Sequence, residues 1–158
     1  MHKGTARTDG VPVRPEPPSR AAAQVAEFHL AYDLPLRHVP TDVVDGGQVL
    51  LRQALIEEEV SELRAAADAG DLVGVADALA DIVYVAYGTA HVYGIDLDAV
   101  LDEVHSSNMT KLGADGRPVR RADGKVLKGP DYRPPDIAAV LAAATPPADA
   151  TRTPTHLG

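Results

Sequence analysis

Apolar residues recur along the middle of the chain at the three- and four-residue spacing of amphipathic helices. Helix caps and breakers stand where this pattern stops, because glycine favours the left-handed end of a helix and proline restricts the residue before it. The predicted helices span 20–32, 48–69, a segment from 72 to about 93, 97 to about 107, and a shorter Ala-rich stretch over 136–144. The pattern therefore predicts an all-α fold with a four-helix core.

Only Gly70 and Asp71 separate the second and third predicted helices. Gly70 suits a left-handed C-cap, and the Asp71 side chain suits an N-cap. Because so short a turn forces the two helices to lie antiparallel and adjacent, they are expected to form an αα-hairpin. Residues near 60 should then lie close to residues near 80.

A carboxylate cluster lies on this hairpin where apolar residues would be expected. Its members are Glu58, Glu59, Glu62, Asp77 and Asp81. At 100° per residue, Glu59 and Glu62 continue the apolar stripe of Leu51 and Leu55. They are therefore expected to face inward. Asp81 lies on a helix with almost no polar side, and a buried carboxylate is costly unless it is neutralised, paired or bound to a cation. The cluster favours a divalent-metal site over a solvated acidic face.

The expected metal is Mg²⁺, with Mn²⁺ as the alternative, because hard cations prefer carboxylate oxygens and keep several waters. Glu59, Glu62 and Asp81 are the strongest candidate ligands. Glu58 lies at the edge of the inward stripe and is the candidate general base, since a carboxylate that holds no metal can take a proton from an attacking water.

Positive charge is concentrated in residues 111–133, the basic loop, which carries +4 while the rest of the chain carries −12. Two Asp-Gly pairs predict tight turns, so this C-terminal region is expected to be an irregular loop. Alone it is typical of a solvated loop, but beside a metal site it indicates phosphoanhydride chemistry, with cationic side chains on the phosphates. The candidate substrate-binding residues are Asn108, Lys111, Lys125 and Lys128.

Composition narrows the class of protein. The net charge of −8 argues against a nucleic-acid binder, and zero cysteines exclude disulfides and thiolate metal sites. No apolar stretch is expected to span a membrane, so a cytoplasmic protein is predicted. With one Phe, no Trp and an Ala- and Val-rich composition, the core is thin, and a homo-oligomer is expected.

The two ends of the chain differ from its middle. Residues 1–19 are Pro-rich with few apolar residues and are predicted to be a disordered arm. Residues 145–158 form a Thr- and Pro-rich stretch that is predicted to be a flexible tail. One domain is therefore expected over 20–144.

Several segments resemble a known superfamily, the all-α nucleoside triphosphate pyrophosphohydrolases that include the MazG proteins. The first two are Glu58-Glu59-x-x-Glu62 and Asp77-x-x-x-Asp81; segments at 87–90, 94–98, 103–111 and 123–129 are similar to the phosphoribosyl-ATP pyrophosphohydrolase-like branch. The resemblance implies Mg²⁺-dependent cleavage of a nucleoside triphosphate to the monophosphate and pyrophosphate, in a dimer or tetramer that clears unwanted nucleotides.

One position departs from the superfamily pattern. The second motif is usually Glu-x-x-Asp, yet Ala78 stands three residues before Asp81, and Asp77 is the available substitute. Two alternatives to a general nucleotide pyrophosphohydrolase therefore stay open. One is hydrolysis of phosphoribosyl-ATP, and the other is a non-catalytic helical module for dimerisation or regulation.

Overall fold

The computed structural model describes residues 17–113 and 115–144. Within them the chain forms five helices: α1 (Arg20–Ala31), α2 (Gly46–Ala69), α3 (Leu72–Tyr93), α4 (Leu97–Met109) and α5 (Ile137–Ala143). No β-strand occurs in these ranges; two isolated bridges in the basic loop are the only β-type pairings there. The predicted all-α fold is confirmed. The tail and most of the Pro-rich arm lie outside the described residues.

Each helix begins at a side chain that accepts hydrogen bonds from free backbone N–H groups. These N-caps are Ser19, Asp45, Asp71, Asp96 and Asp136. Because the Asp45 carboxylate caps Gly47 and Gln48, α2 starts two residues earlier than the apolar pattern predicted.

Glycines end the two long helices in the left-handed conformation. Gly70 has φ 67° and closes the hairpin turn, as predicted. Gly94 has φ 69°, and a Cβ there would lie 2.1 Å from the Val39 carbonyl oxygen. A side chain at this position would therefore push away the segment between α1 and α2.

The α2–α3 hairpin is the main packing unit, and α1 packs on α3. Ala22 and Val25 of α1 meet Tyr87 of α3 in the small buried core. The Tyr87 hydroxyl donates to the Asp98 carboxylate at 2.8 Å, which ties the start of α4 to α3. Apart from this hydrogen bond, α4 packs mainly on α5 and has no extensive packing on the hairpin.

Much of the apolar surface of α3 is open. Leu72 and Val73 are 78% and 80% exposed, and Leu79 and Val83 are about half exposed. By length and composition α3 could cross a membrane, contrary to the expectation of no such stretch. Asp77 and Asp81, in the first half of α3, would be costly to place inside a membrane. Packing against other helices therefore accounts better for the apolar composition of α3.

Candidate active site

The carboxylate cluster lies on the facing turns of the hairpin. Partly buried residues spaced three or four apart mark the seam of α2 against α3, and Glu59 belongs to this seam with Leu55 and Leu63. On α3 the seam runs through Ala78, which is only 2% exposed, and Ile82. Glu59 therefore emerges between the helices, and the other four acids border it.

These acids act on one another electrostatically. The pKa of Glu59 is raised above its ordinary value, first by burial and then by the negative charges of Asp81, Glu62, Glu58 and Asp77, in decreasing order. Its Oε2 atom is buried and has no hydrogen-bond partner in the described part of the chain. The other four predicted acids therefore lie near enough to Glu59 to act on it electrostatically.

The expectation that these acids are buried is wrong for the single chain. Glu59 is partly buried, but Glu58, Glu62, Asp77 and Asp81 are exposed. The reason is a rotation of the seam: Leu51, expected in the stripe, is 48% exposed, whereas Arg52 next to it is buried. The acids consequently flank the contact line of the two helices.

The donor set fits a hard divalent cation. All five groups offer carboxylate oxygens, and the buried Oε2 of Glu59 has no hydrogen-bond partner among the described residues. In the described ranges, however, no three His, Asp or Glu side chains are close enough together to form a ready-made metal site. The exposed acids would have to reorient to converge on one ion.

The basic loop is fastened at its base to α4. Arg133 donates to the Glu103 carboxylate at 2.6 Å and to the Ser106 hydroxyl at 3.0 Å, and the Ser107 hydroxyl donates to the Arg133 carbonyl at 2.7 Å. The Arg133 N–H also donates to Thr110 Oγ1 at 2.9 Å. These bonds join the two ends of the loop and hold residues 133–136 against α4.

Among the described residues, the predicted substrate-binding side chains form no ion pair with the carboxylate cluster. Asn108 is exposed near the end of α4, and Lys111 follows it. Lys128 places its Nζ atom 4.5 Å from the centre of the Tyr132 ring, and Lys125 is exposed in the loop. None of the three lysines forms an ion pair with a described acid.

Sequence reasoning missed a buried cation behind the carboxylate cluster. Arg52 is 8% exposed and donates from Nε to Thr89 Oγ1 at 3.2 Å and from Nη2 to the Val85 carbonyl at 3.1 Å. Burial lowers its pKa. These bonds set the register of the hairpin two turns from Glu59. The sequence does contain one indication of this arrangement: Arg52 and Glu59 are seven residues apart, a spacing that puts them on one face of a helix.

A second feature near the site is an aromatic contact on the α1 side of the hairpin. Phe28 lies against Tyr32 with ring centroids 4.4 Å apart and against Tyr84 at 5.6 Å. Tyr84 follows Asp81 by three residues on α3. Aromatic side chains therefore lie about one helical turn from the carboxylate cluster.

The chain belongs to the phosphoribosyl-ATP pyrophosphohydrolase family, whose family model matches residues 25–108. The match includes every member of the carboxylate cluster and ends at Asn108, before the basic loop. It confirms the resemblance to the all-α nucleoside triphosphate pyrophosphohydrolases.

Two further comparisons gave individual relatives. An uncharacterised protein of Acanthamoeba polyphaga mimivirus is 50% identical over 50 residues, which are 32% of this chain and 20% of that protein. The chain thus matches about a fifth of that relative's length. A crystal structure from Exiguobacterium sp. 255-15, provisionally assigned as an NTP pyrophosphohydrolase, is 24% identical with a TM-score of 0.43, covering 81% of this chain and 95% of that one.

Proposed function

We propose that this protein is a metal-dependent nucleotide pyrophosphohydrolase that cleaves a (deoxy)nucleoside triphosphate to the monophosphate and pyrophosphate. The observation that carries the proposal is the electrostatic influence of four neighbouring carboxylates on Glu59, whose Oε2 has no partner among the described residues, inside the region that matches the family. Removal of unwanted nucleotides from the cellular pool is the role we propose for this reaction.

Glu59, Glu62 and Asp81 would hold the cation, Mg²⁺ or Mn²⁺, with Asp77 at the edge of the site. When bound, the cation would polarise the phosphoanhydride and make water a better nucleophile. Glu58 is exposed beside the seam and free to accept the proton of the attacking water, while pyrophosphate leaves as the bond between the α- and β-phosphates breaks.

The position of Ala78 bears on the role of Asp77. Because Ala78 is packed inside the hairpin at 2% exposure, a longer acid there would need space between the helices. Asp77 is exposed next to it, and of the four acids that raise the pKa of Glu59 it acts most weakly. Asp77 is therefore proposed as an auxiliary ligand, and Asp81 as a principal one.

The polyphosphate would need cations as well as the metal. Lys111, Lys125 and Lys128 are proposed to neutralise its distal phosphates, with Asn108 donating a neutral hydrogen bond. The exposed positions of Asn108, Lys125 and Lys128 support this assignment, because their polar groups are accessible to a ligand.

A homo-oligomer, dimer or tetramer, is part of the proposal. The half-exposed side chains of Leu79 and Val83 lie beside Asp81 on α3, and a second chain covering them would also shelter the acids from water.

Hydrolysis of phosphoribosyl-ATP is the second candidate function, and the family description favours it. Both candidates can be tested by incubating the purified protein with canonical, deoxy and modified triphosphates and with phosphoribosyl-ATP. Pyrophosphate release is measured with Mg²⁺, with Mn²⁺ and with a chelator. We expect metal-dependent release from at least one ordinary triphosphate. Release from phosphoribosyl-ATP alone would establish the second candidate, and no release from any of them would support a non-catalytic helical module.

A further inference from the structure

Arg52 spans one turn of α3 through a closed set of hydrogen bonds. Its Nε donates to Thr89 Oγ1 at 3.2 Å, and its Nη2 donates to the Val85 carbonyl at 3.1 Å. The Thr89 hydroxyl donates to that same carbonyl at 2.8 Å. These three residues form the arginine clamp, in which one guanidinium of α2 holds both ends of a single turn of α3.

Stability alone does not explain a buried guanidinium at this position. Arg52 is 8% exposed, and burial lowers its pKa, so its charged form is less favourable there than in water. Neither of the two ion pairs among the described residues includes Arg52. Because a buried charge without a carboxylate partner is costly, an apolar side chain would fill the same contact at a lower cost. The clamp therefore points to a geometric role.

The clamp lies equally far from the carboxylate cluster on both helices. Glu59 follows Arg52 by seven residues on α2, and Ala78 precedes Val85 by seven residues on α3. At the rise of an α-helix, each interval is about 10 Å. Since α2 and α3 run antiparallel, holding Arg52 against Val85 sets Glu59 level with Ala78, within one turn of Asp81.

The clamp also decides which side of α2 faces α3. Leu51, which the apolar pattern alone would put in the contact, is 48% exposed, whereas Arg52 beside it is buried. Neighbouring residues of a helix differ by about 100° in direction, so exchanging them on the contact line rotates α2 about its axis. In the observed rotation Glu59 is partly buried in the seam, and Glu58 and Glu62 flank it in exposed positions.

We infer that Arg52 is a positioning residue for the candidate active site: its clamp on α3 holds α2 at the register and rotation in which Glu59 and Asp81 can bind one cation. The identity of that site rests on the proposed function, but the positioning concerns the hairpin itself. Arg52 acts through geometry, because the charges that act on Glu59 come from four carboxylates and not from Arg52. Loosening the clamp should therefore weaken metal binding without removing a ligand.

Thr89 offers a matched pair of substitutions. Thr89→Val removes the hydroxyl at nearly constant shape and takes the acceptor away from Arg52 Nε, whereas Thr89→Ser keeps the hydroxyl. We expect Thr89→Val to raise the dissociation constant for Mn²⁺, measured by calorimetry, by about tenfold, and Thr89→Ser to stay within about twofold of the wild type. Arg52→Lys keeps the charge but replaces the guanidinium fork by a single nitrogen, so it should behave like Thr89→Val. Wild-type affinity in both loosened variants would overturn the inference.

A loss of stability must be separated from a loss of position. Val25→Ala is the control, because Val25 is 1% exposed in the contact of α1 with α3 and lies outside the α2–α3 seam. With folding verified by circular dichroism, this variant should have a lower free energy of unfolding and an unchanged dissociation constant for Mn²⁺. A tenfold loss of affinity in Val25→Ala as well would contradict the inference, since any destabilisation would then suffice.

A distance measurement reads the hairpin directly, with neither metal nor substrate. The chain has no cysteine, so Glu57→Cys on α2 and Ala80→Cys on α3, both at exposed positions, can carry a pair of spin labels. Labelled chains are diluted with unlabelled chains, so that only distances within one chain are recorded. The distribution from pulsed EPR should shift or broaden with Thr89→Val or Arg52→Lys and stay unchanged with Thr89→Ser. Unchanged distributions in both loosened variants would show that the clamp does not set the hairpin.

Activity gives a reading that separates a misplaced ligand from a missing one. Pyrophosphate release by Thr89→Val should fall at low Mg²⁺ and recover in large part when Mg²⁺ is raised. Glu59→Gln, which lacks a ligand, should not recover. A loss in Thr89→Val that no Mg²⁺ concentration restores would count against the positioning role.

The positioning role and the proposed function fail in different ways. If the wild type neither binds Mn²⁺ nor hydrolyses a triphosphate, the proposed function is wrong, and the spin-label distances alone decide whether the clamp sets the hairpin. If the wild type is active and the loosened variants match it in Mn²⁺ affinity, the proposed function stands and the positioning role is wrong.

Discussion

Arg52 occupies the space that a side chain at position 88 would need. A Cβ built on Gly88 would lie 2.4 Å from Arg52 Nη2 and 2.9 Å from His29 Nε2. Gly88 thus lets α1, α2 and α3 approach one another around a buried guanidinium. Because Arg52 also bonds Val85 and Thr89, this contact fixes which turns of the hairpin face each other.

Gly88→Ala is therefore expected to destabilise the protein by about 1–3 kcal/mol, the usual cost of overpacking a core. Chemical denaturation with circular dichroism gives the free energy of unfolding. Gly46→Ala is the matched control, because nothing lies within 4 Å of a Cβ built there. Equal stability of the two variants would show that Arg52 moves aside at no cost.

His29 should make the fold sensitive to acid. Its Nδ1 lies 2.7 Å from the Pro35 carbonyl oxygen, which can only accept, so Nδ1 carries the proton and Nε2 is the atom that titrates. Burial lowers the pKa of His29 below its ordinary value of 6.5, and the charges of Arg52 and His91 lower it further, against the Pro35 bond.

For a group with a lowered pKa in the folded state, the unfolded chain binds the proton first. The contribution of His29 to the free energy of unfolding is therefore complete above about pH 6.5 and is lost as the pH falls toward the pKa that His29 has in the folded state. The free energy of unfolding, measured from pH 8 to 5, should fall more steeply for the wild type than for His29→Asn. That variant keeps a short donor for Pro35 but does not titrate. Parallel curves would contradict the assignment.

Glu59→Gln and Asp81→Asn should each reduce metal-dependent pyrophosphate release by at least about 100-fold while leaving the chain folded, since both keep the shape and remove a metal-binding charge. Asp77→Asn should cost less. Without metal, Glu59→Gln should raise the melting temperature at pH 7, because the ionised Glu59 is disfavoured by burial and by its acidic neighbours. Full turnover in both principal variants would refute the metal site.

Replacing Lys125 and Lys128 together by Ala is expected to lower kcat/KM for a triphosphate by about tenfold or more, because charge-assisted contacts to the phosphates are lost. A diphosphate that is cleaved slowly should be affected less. Metal affinity of the free protein, measured by calorimetry, should stay the same. An unchanged kcat/KM would show that Lys125 and Lys128 do not bind the phosphates and that the basic loop is a solvated segment.

Association should be visible in sedimentation. The chain mass is 16.6 kDa, and a larger species is expected at micromolar concentration. Leu79→Asp should weaken association by placing a charge on the open face of α3. Leu30→Asp, at a 70% exposed position of α1, is the control and should not weaken it. A 16.6 kDa species across the micromolar range would count against the oligomer.

The helices could be predicted because local rules determine them. Gly70 and Asp71 define the hairpin turn whatever lies around it, and the sequence separation of Glu59 and Asp81 then places them face to face. Their exposure could not be predicted in the same way. Helical periodicity gives the relative angles of side chains, but the angle at which α2 meets α3 depends on packing, and here Arg52 replaces Leu51 on the contact line.

The hydrogen bond from the Arg133 N–H to Thr110 Oγ1 holds the two ends of the basic loop together. Since the loop departs from and returns to one place on α4, it can be excised and bridged by a few glycines without opening the hairpin. The family match stops at Asn108, before the excised segment begins. Grafting it onto a relative that lacks it would transfer positive charge to a new scaffold at little cost in folding.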